Sequence, residues 1–532
     1  MKKEDESRIC SEVSARVFEE AFAGAGAQVV EGLAEIINET LHYENERLRG
    51  VKPDGDVHSD KRFYSGIRRS LPRAGEVVLK EQLRSIITRY VTEICGHFNP
   101  KVYALSTQAL PIALTVLLNG LSPARLANGL RDLKSIDTHI RIHGEIERVQ
   151  KLAQKGTLVF APTHISNLDS IVLGYAIYRL GLPPAIYGAG LNLFGNPIVG
   201  HFMHNLGAYT VDRRKRAPLY KNTLKEYAAV SLEMGYHNLF FPGGTRSRSG
   251  ALEDRLKKGL LGTALKAYGN NLLSGKENPG IFIVPCSLSF PLVLEASTLV
   301  DDHLKREGKA RYIIVDDEFS RWRRWADFAG GLFRLDAQIH LHIGRPFDPF
   351  GNEVDDEGES CDLRGRHIDR ARYLMRQGSF LDDSARDREY TSVLSDKLLA
   401  EMRSRNLALA THVVAFACFE ELFAASPQTD LYRFLRNLGP ESNLSMAAAI
   451  KATERLLKQL HDASEQGRMV WDPDIHGVGA AAVVRSALRN FGVYHKEPVL
   501  HRVGDRLHVG DANLLFYYRN RLEGYGLLGA RD

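Results

Sequence analysis

Three absences exclude broad classes of protein. No uninterrupted apolar stretch reaches the roughly 18 residues that a membrane-spanning helix needs, and the nearest candidate, residues 102–118, predicts a buried or membrane-surface helix. The amino terminus has no apolar core behind its first charged residues, so we expect no signal peptide. The five cysteines are scattered and form no Cys-x-x-Cys pair, which favours reduced thiols in a cytosolic setting over disulfides or zinc.

The chain also has little excess charge. Its 70 Lys and Arg against 65 Asp and Glu leave a net charge of +5 over 532 residues. This argues against a dedicated nucleic-acid-binding protein, although a local basic patch can still bind phosphate or anionic lipid. A hydrophobic content of 44% and a charged content of 25% are typical of a globular protein with two or three domains.

Composition and periodicity divide the chain into four regions. Residues 1–100 predict a helical domain and residues 101–350 an α/β domain. Residues 351–365 predict an acidic linker, and residues 366–532 a mainly helical region with a terminal hairpin. Helices followed by a hairpin are also found in winged-helix modules, so a nucleic-acid-linked regulator stays open as a minor alternative.

The amino-terminal region shows helical periodicity over residues 9–50 and again over residues 77–95. Between them, residues 50–61 are polar and contain Pro53-Asp54-Gly55, which predicts a loop.

The fold class follows from alternating strand-like and helix-like segments after residue 136. Strands separated by helices are typical of an α/β domain with a largely parallel sheet. We therefore predict that fold, flanked by helical amino- and carboxyl-terminal regions. The predicted strands cover residues 140–143, 157–161, 185–187, 209–211, 238–241, 281–284, 312–315 and 338–343.

The stretch Thr163–Asp169 places a base and a carboxylate after a predicted strand. His164 and Asp169 lie five positions apart, roughly 140° from a common face of one continuous helix. They can meet if His164 lies in the loop and Asp169 in the first turn of the next helix. The imidazole could then act as a general base whose tautomer the carboxylate fixes. Ser166-x-x-Asp169 also fits a helix capping box, and that alternative stays open.

Three later blocks follow predicted strands. Arg213 to Arg216 and the run Phe241–Gly250 supply guanidinium groups, which suit bidentate phosphate recognition. Gly243 and Gly244 would let backbone amides approach an anion closely. A solvated basic run is the other interpretation of residues 213–216. The last block, residues 283–287, contains Pro285.

The order of these blocks resembles the glycerol-phosphate acyltransferase superfamily, whose first block is His-x-x-x-x-Asp. The resemblance covers roughly residues 136–345, and the segment Phe516–Asn520 is similar to part of the longer glycerol-3-phosphate and dihydroxyacetone-phosphate acyltransferases. It implies that His164 deprotonates an acceptor hydroxyl and that Asp169 orients it. The implied substrate-binding residues, with the two arginines on the acceptor phosphate, are Arg213, Gly244, Thr245, Arg246, Ser247 and Pro285.

The implied reaction moves a fatty acyl group from acyl-CoA or acyl carrier protein to glycerol 3-phosphate in phospholipid biosynthesis. A thioester is already activated, so a positioned base suffices, and we expect no metal or other cofactor. Lysophosphatidate is the alternative acceptor, because residues 211–213 and 241–242 resemble the enzymes that acylate it. Residues 246–250 and the helical flanks resemble those that acylate glycerol 3-phosphate, which we favour.

Gly243 departs from the family pattern, which carries Glu there. A catalytically silent lipid- or phosphate-binding protein is therefore a further alternative. If the protein is active, we expect either that Glu253 or Asp254 supplies the missing charge, or that Gly243 widens the turn and backbone amides carry more of the binding. We also expect a peripheral protein at the cytoplasmic face of a membrane, because Trp322 and Trp325, with nearby Phe and Arg residues, mix interfacial aromatics with cations. Packing of these aromatics in the core is the competing interpretation.

Overall fold

The computed structural model describes residues 2–50, 55–104, 139–191, 203–307, 338–427, 430–492 and 495–527. Within these residues an amino-terminal helical part, a central α/β part and a mainly helical carboxyl-terminal part follow one another.

The amino-terminal part consists of packed helices. They are α1 (Lys3–Gly24), α2 (Val29–Leu48), α3 (Gly55–Ser70) and α4 (Glu76–Ile94), with a 3-10 turn at Leu71–Arg73. Helix over residues 9–50 is confirmed apart from a break between α1 and α2, and helix over residues 77–95 is confirmed.

The predicted loop over residues 50–61 is wrong from Gly55 onward, where α3 begins. Val57, Asp60, Tyr64 and Ile67 are all buried, at spacings of three and four residues. That periodicity buries one face of a helix, and the turn signal at Pro53-Asp54-Gly55 concealed it because it stands directly before the helix.

The described strands of the α/β part form one seven-stranded sheet in the order β1-β7-β6-β2-β5-β3-β4. All neighbours are parallel except β6 and β7, so the predicted largely parallel sheet is confirmed. The predicted strand at residues 312–315 lies outside the described residues. The strands are β1 (Ile140–Gly144), β2 (Gly156–Pro162), β3 (Ile186–Gly190), β4 (Ala208–Val211), β5 (Asn238–Leu239), β6 (Gly280–Ser289) and β7 (Ile339–Ile343).

Helices cover both faces of this sheet, which explains the continuous apolar runs of its central strands. Every residue of β6 is buried, as is all of β2 after Gly156. The helices are α5 (Ile146–Lys155), α6 (Asp169–Arg179), α7 (Pro218–Glu233), α8 (Lys258–Leu261), α9 (Thr263–Leu273) and α10 (Ala296–Glu307).

The carboxyl-terminal part is mainly helical. Its predicted terminal hairpin is confirmed, with antiparallel strands at Leu500–Val503 and Arg506–Val509. The helices are α11 (Ser384–Ser404), α12 (Ala410–Ala424), α13 (Leu431–Asn437), α14 (Met446–Glu465), α15 (Ala480–Phe491) and α16 (Ala512–Arg519). The strands are β8 (Glu353–Val354), β9 (Ser360–Cys361), β10 (His367–Ile368), β11 (Met375–Arg376), β12 (Ser379–Phe380), β13 (Leu407–Ala408), β14 (Asn443–Ser445), β15 (Val470–Trp471), β16 (Leu500–Val503) and β17 (Arg506–Val509).

The acidic segment at residues 351–365 has a fixed structure instead of being an extended linker. Its strands β8 and β9 pair antiparallel, and β9 also pairs with β10. Asp356 accepts hydrogen bonds from Arg148 and Lys151 of α5 at 2.9 and 2.6 Å. The segment is therefore docked on the α/β part, while the predicted domain boundaries stay a prediction.

The helical flanks share their cores with the α/β part. Ile186 of β3, Tyr209 of β4 and Tyr227 of α7 belong to the apolar cluster of α1 to α4. Val414 of α12 and Tyr518 of α16 belong to the cluster that contains α6 and β6. Elements from both flanks therefore contact the sheet that positions the site.

Within the described ranges, no helix is long and apolar enough to cross a membrane. Most of the predicted surface helix at residues 102–118, and the aromatic group around Trp322 and Trp325, lie outside those ranges.

Candidate active site

His164 and Asp169 meet at the carboxyl end of β2, where a loop enters α6. Asp169 Oδ2 lies 2.8 Å from His164 Nδ1 and accepts the backbone N–H groups of Ile165 and Ser166 at 2.7 and 3.0 Å. Because this carboxylate oxygen is an acceptor, Nδ1 is the ring nitrogen that carries a proton. Nε2 therefore keeps its lone pair and can take a proton from a ligand.

Asp169 is a helix-terminal residue as well as the partner of His164. It is the first residue of α6 and fully buried, at the end where the helix dipole favours a negative charge. Its bond from Ser166 N–H is one half of a capping box. The other half is absent, because the Ser166 hydroxyl accepts from Leu168 N–H at 3.2 Å. The capping and dyad interpretations of the sequence therefore describe the same carboxylate.

His164 is held on three further sides. Its ring stacks on Phe241 with centroids 4.0 Å apart. Its backbone N–H donates to Glu253 Oε1 at 2.8 Å, and its carbonyl accepts from Ser247 N–H at 2.7 Å. The side chain is 16% exposed, so a ligand can reach the imidazole although most of its surface is covered.

Glu295 joins the His164 loop to the block that contains Arg246. Its Oε1 accepts from Asn167 N–H at 2.9 Å and from Arg246 Nη1 at 3.1 Å, and its Oε2 accepts from the Ser166 hydroxyl at 3.0 Å. Burial raises the pKa of Glu295, and the charge of Arg246 opposes that shift. Glu295 therefore fixes Arg246 relative to the loop of the base.

Arg213 lies just beyond β4 in a loop where the next two residues, Arg214 and Lys215, are paired with carboxylates. The Arg214 guanidinium donates to the buried Asp212 carboxylate, with Nε and Nη2 each 3.0 Å from an oxygen. Lys215 is buried and pairs with Glu93 of α4, so a solvated basic run is the wrong interpretation for this residue. Arg213 itself is exposed and makes no hydrogen bond or ion pair to any residue that the structure describes.

Several cationic side chains lie close to the Arg213 loop. Desolvation and the charges of Arg248 and Arg246 lower the pKa of Arg213. Desolvation and the charges of Arg213 and Arg248 lower the pKa of Lys257. An anion bound among these groups would relieve their repulsion, so the cluster suits a phosphate.

The turn at Gly244 is shaped by its neighbours. Gly244 has φ +77°, and its N–H donates to the Phe241 carbonyl at 2.9 Å. A Cβ there would lie 2.6 Å from Lys257 Cδ, at the flexible end of that side chain, so it is the positive φ that favours glycine. Thr245 and Ser247, which follow in the same turn, are partly exposed. Their binding roles stay a prediction.

Pro285 lies inside the sheet. It is buried in β6 opposite Ala161 of β2, and its carbonyl accepts from Gly344 N–H at 2.9 Å. Its contribution to a substrate pocket stays a prediction.

The carboxyl-terminal segment Phe516–Asn520 packs on the Arg246 block. Asn520 Nδ2 donates to the Ser249 carbonyl at 2.9 Å. Gly250 has φ +86°, and any side chain there would collide with the Tyr517 carbonyl. Helix α16 and the residue directly after it therefore support the loop that contributes Arg246.

Two groups at this site escaped sequence reasoning. Glu295 stands 128 positions from Asn167, and no local pattern marks it. Lys257 belongs to a basic stretch that starts at Arg255, which was a usable signal. Of the two acidic residues expected to compensate for Gly243, only Glu253 contacts His164, whereas Asp254 is exposed and lies 3.4 Å from Arg403.

Comparison with known proteins agrees with this geometry. A family model described as Acyltransferase matches residues 139–289, a range that contains every block from His164 to Pro285. Over these residues, the chain is similar to the acyltransferase family.

Its relatives include long bacterial enzymes. It is 28% identical over 315 residues to the glycerol-3-phosphate acyltransferase of Pseudomonas aeruginosa strain PAO1, over 58% of this chain and 33% of that protein. It is 33% identical over 202 residues to that of Pseudomonas fluorescens strain Pf0-1, over 38% and 22%. It is 32% identical over 238 residues to that of Aeromonas hydrophila, over 44% and 26%. The chain thus spans about a third or less of the curated relatives it matches.

One solved structure shares 17% sequence identity with this chain. It is the 1-acyl-sn-glycerophosphate acyltransferase of Thermotoga maritima, matched over 60% of this chain and 96% of that one. With a TM-score of 0.27, the likeness is too distant to support an argument about fold.

Proposed function

We propose that this protein transfers a fatty acyl group from a thioester to a hydroxyl of glycerol 3-phosphate. The observation that carries the proposal is the His164–Asp169 pair, with Nε2 available, in a loop that Glu295 ties to Arg246. The names of the relatives support the same reaction and acceptor.

In this mechanism His164 Nε2 takes the proton of the acceptor hydroxyl as the oxygen attacks the thioester carbonyl carbon. The tetrahedral intermediate collapses, the carbon–sulfur bond breaks, and the imidazolium returns its proton to the leaving thiolate. Asp169 stabilises the transient imidazolium through Nδ1–H and keeps the ring in its tautomer. The products are an ester and a free thiol.

The acceptor phosphate would lie among Arg213, Arg246 and Lys257. Arg246 is oriented by Glu295, whereas the Arg213 guanidinium pairs with no residue in the described part of the chain and can make a bidentate contact. Holding the phosphate fixes the distance from the acceptor hydroxyl to His164, which lowers the entropic part of the barrier.

An acceptor and donor survey tests the proposal. The purified protein would be assayed with glycerol 3-phosphate, lysophosphatidate and dihydroxyacetone phosphate, each with an acyl-CoA and an acyl-acyl carrier protein. We expect the highest kcat/KM with glycerol 3-phosphate. Transfer to lysophosphatidate alone would mean that lysophosphatidate, and not glycerol 3-phosphate, is the acceptor. Tight binding of a phosphate ligand without turnover under any pairing would favour the silent binding protein.

We further propose that the protein works as a peripheral protein at the cytoplasmic face of a membrane, because its donor chain and product are lipidic. Flotation with anionic liposomes should recover the protein with the lipid, and alkaline or high-salt washing should release it. Protein that only detergent releases would contradict peripheral binding.

A further inference from the structure

Gly243 and Glu253 occupy one shared space. A Cβ on Gly243 would lie 2.9 Å from Glu253 Cγ and 3.1 Å from Glu253 Oε1. Unlike Gly244, Gly243 does not have a positive φ, so its backbone conformation does not demand glycine. What excludes a larger residue at position 243 is the side chain of Glu253.

The Glu253 carboxylate contacts the main chain of His164, the proposed base. Glu253 Oε1 accepts the backbone N–H of His164 at 2.8 Å, while Asp169 holds the ring of the same residue. His164 is thus fixed by two carboxylates, one at its main chain and one at its imidazole. A hydrogen bond from an N–H group to a carboxylate is among the stronger kinds.

The groups around Glu253 shift its pKa in opposite directions. Burial raises its pKa, and the His164 N–H and the positive charge of Arg521 act in the opposite direction. Arg521 is buried and follows α16, with its Nη2 donating to the Leu288 carbonyl. The carboxyl-terminal segment therefore contributes a cation that favours the ionised acceptor behind His164.

We infer that Glu253 is a positioning residue, which sets the main chain of His164 so that Nε2 meets the acceptor hydroxyl. In this chain the carboxylate comes from position 253, and Gly243 leaves the room that it needs. Positions 243 and 253 then behave as a pair that accommodates one carboxylate side chain. The inference rests on the proposed acyl transfer.

A double-mutant cycle tests the pair. Glu253→Ala should lower kcat about 10- to 100-fold, the effect of losing one hydrogen bond to a charged group, with the KM of both substrates little changed. Gly243→Glu should also lower kcat, because the new side chain crowds Glu253. In Gly243→Glu/Glu253→Ala the new carboxylate can enter the vacated space, and kcat should recover to well above that of either single variant.

Two controls separate positioning from general damage. Glu253→Gln keeps an oxygen that accepts the His164 N–H and should retain most of the activity, whereas Asp254→Asn changes an exposed neighbour and should match wild type. The melting temperature of each variant is recorded. A Glu253→Ala enzyme with wild-type kcat, or a double variant no better than the worse single variant, would overturn the inference.

Hydrogen exchange supplies a readout that needs no turnover. Exchange in peptides covering residues 160–168 should rise at least several-fold in Glu253→Ala and return towards wild type in the double variant. Unchanged exchange in Glu253→Ala would refute the positioning role even if the wild type were inactive. An inactive wild type with the expected exchange pattern would instead refute the proposed function and leave the structural pairing standing.

Discussion

The loop of His164 and the loop of Arg213 are held in place by charges of opposite sign. Asp169 and Glu253 are carboxylates that accept hydrogen bonds from the His164 loop. The Arg213 loop is instead anchored by Lys215, whose ammonium lies in the amino-terminal helical core with Glu93 and 4.7 Å from the centre of the Tyr90 ring.

The difference matches what each loop is proposed to do. Carboxylates beside His164 favour an imidazole that becomes positive during proton transfer. At the other loop the nearby carboxylates are already paired, Asp212 with Arg214 and Glu93 with Lys215. Arg213 therefore keeps its full charge for a ligand. Among the described residues, the anchors of the two loops leave His164 Nε2 and the Arg213 guanidinium able to face a ligand.

The largest expected effect comes from removing the base. His164→Ala should lower acyl transfer by about 10²–10⁴ because the general base is lost. The melting temperature should change little, since the residue lies in a loop and its side chain is partly exposed. Steady-state rates and thermal unfolding measure the two effects.

Asp169→Asn is the matched variant on the anchoring side. It should lower both the rate and the melting temperature, because a fully buried carboxylate that accepts several hydrogen bonds is replaced. Near-normal turnover in His164→Ala would contradict the mechanism. If Asp169→Asn loses much stability but keeps its rate, only the capping role of Asp169 would remain.

The next largest effect distinguishes the roles of Arg213 and Arg246. Arg213→Ala and Arg246→Ala should each weaken phosphate binding by about 1.5–3 kcal/mol and raise the acceptor KM accordingly. The KM of the thioester should stay constant. Only Arg246→Ala should also lower the melting temperature, because it leaves the buried Glu295 without its cation.

Arg216→Ala serves as the control for this pair, since Arg216 is an exposed residue of the same loop. It should leave both KM values unchanged. Equal increases in the two substrates' KM values would mean that Arg213 and Arg246 bind the donor or stabilise the fold, and do not act on the acceptor alone.

A smaller effect is expected from Lys215→Met, which tests whether the amino-terminal helices set the position of Arg213. The substitution leaves Glu93 and the buried Glu44 with less positive charge and should cost about 1–3 kcal/mol of stability. The acceptor KM should rise several-fold, less than in Arg213→Ala. Loss of stability with an unaltered acceptor KM would show that the loop keeps its shape without this anchor.

The sequence predicted what depended on neighbouring positions. The strand, loop and helix around His164 are consecutive in the sequence over residues 156–179, so their geometry followed from periodicity and helix angles. Glu295 and the burial of Lys215 depend on contacts between segments far apart in the chain, which no local pattern contains. The start of α3 was missed for the opposite reason, because a local turn signal outweighed a helical face that only packing reveals.

The smallest effect is expected from His237, whose ring nitrogen accepts a backbone N–H instead of donating to a carboxylate as His164 does. His237 is buried, and its Nδ1 accepts the Leu158 N–H at 3.1 Å, so it must be neutral to keep this bond. Burial lowers the pKa of His237 to about 4. Because the folded state binds this proton less readily than the unfolded chain, stability is complete above pH 6.5 and is lost as the pH falls towards 4.

Between pH 7 and pH 6 this linkage should cost less than about 1 kcal/mol of unfolding free energy, with a larger loss near pH 4. His237→Asn keeps a short acceptor but cannot titrate, so its unfolding free energy should fall less steeply with acid than that of wild type. Urea unfolding at a series of pH values measures both slopes. Identical slopes would mean that His237 binds its proton equally well in the folded and unfolded states, so that neither burial nor the Leu158 N–H keeps the imidazole neutral.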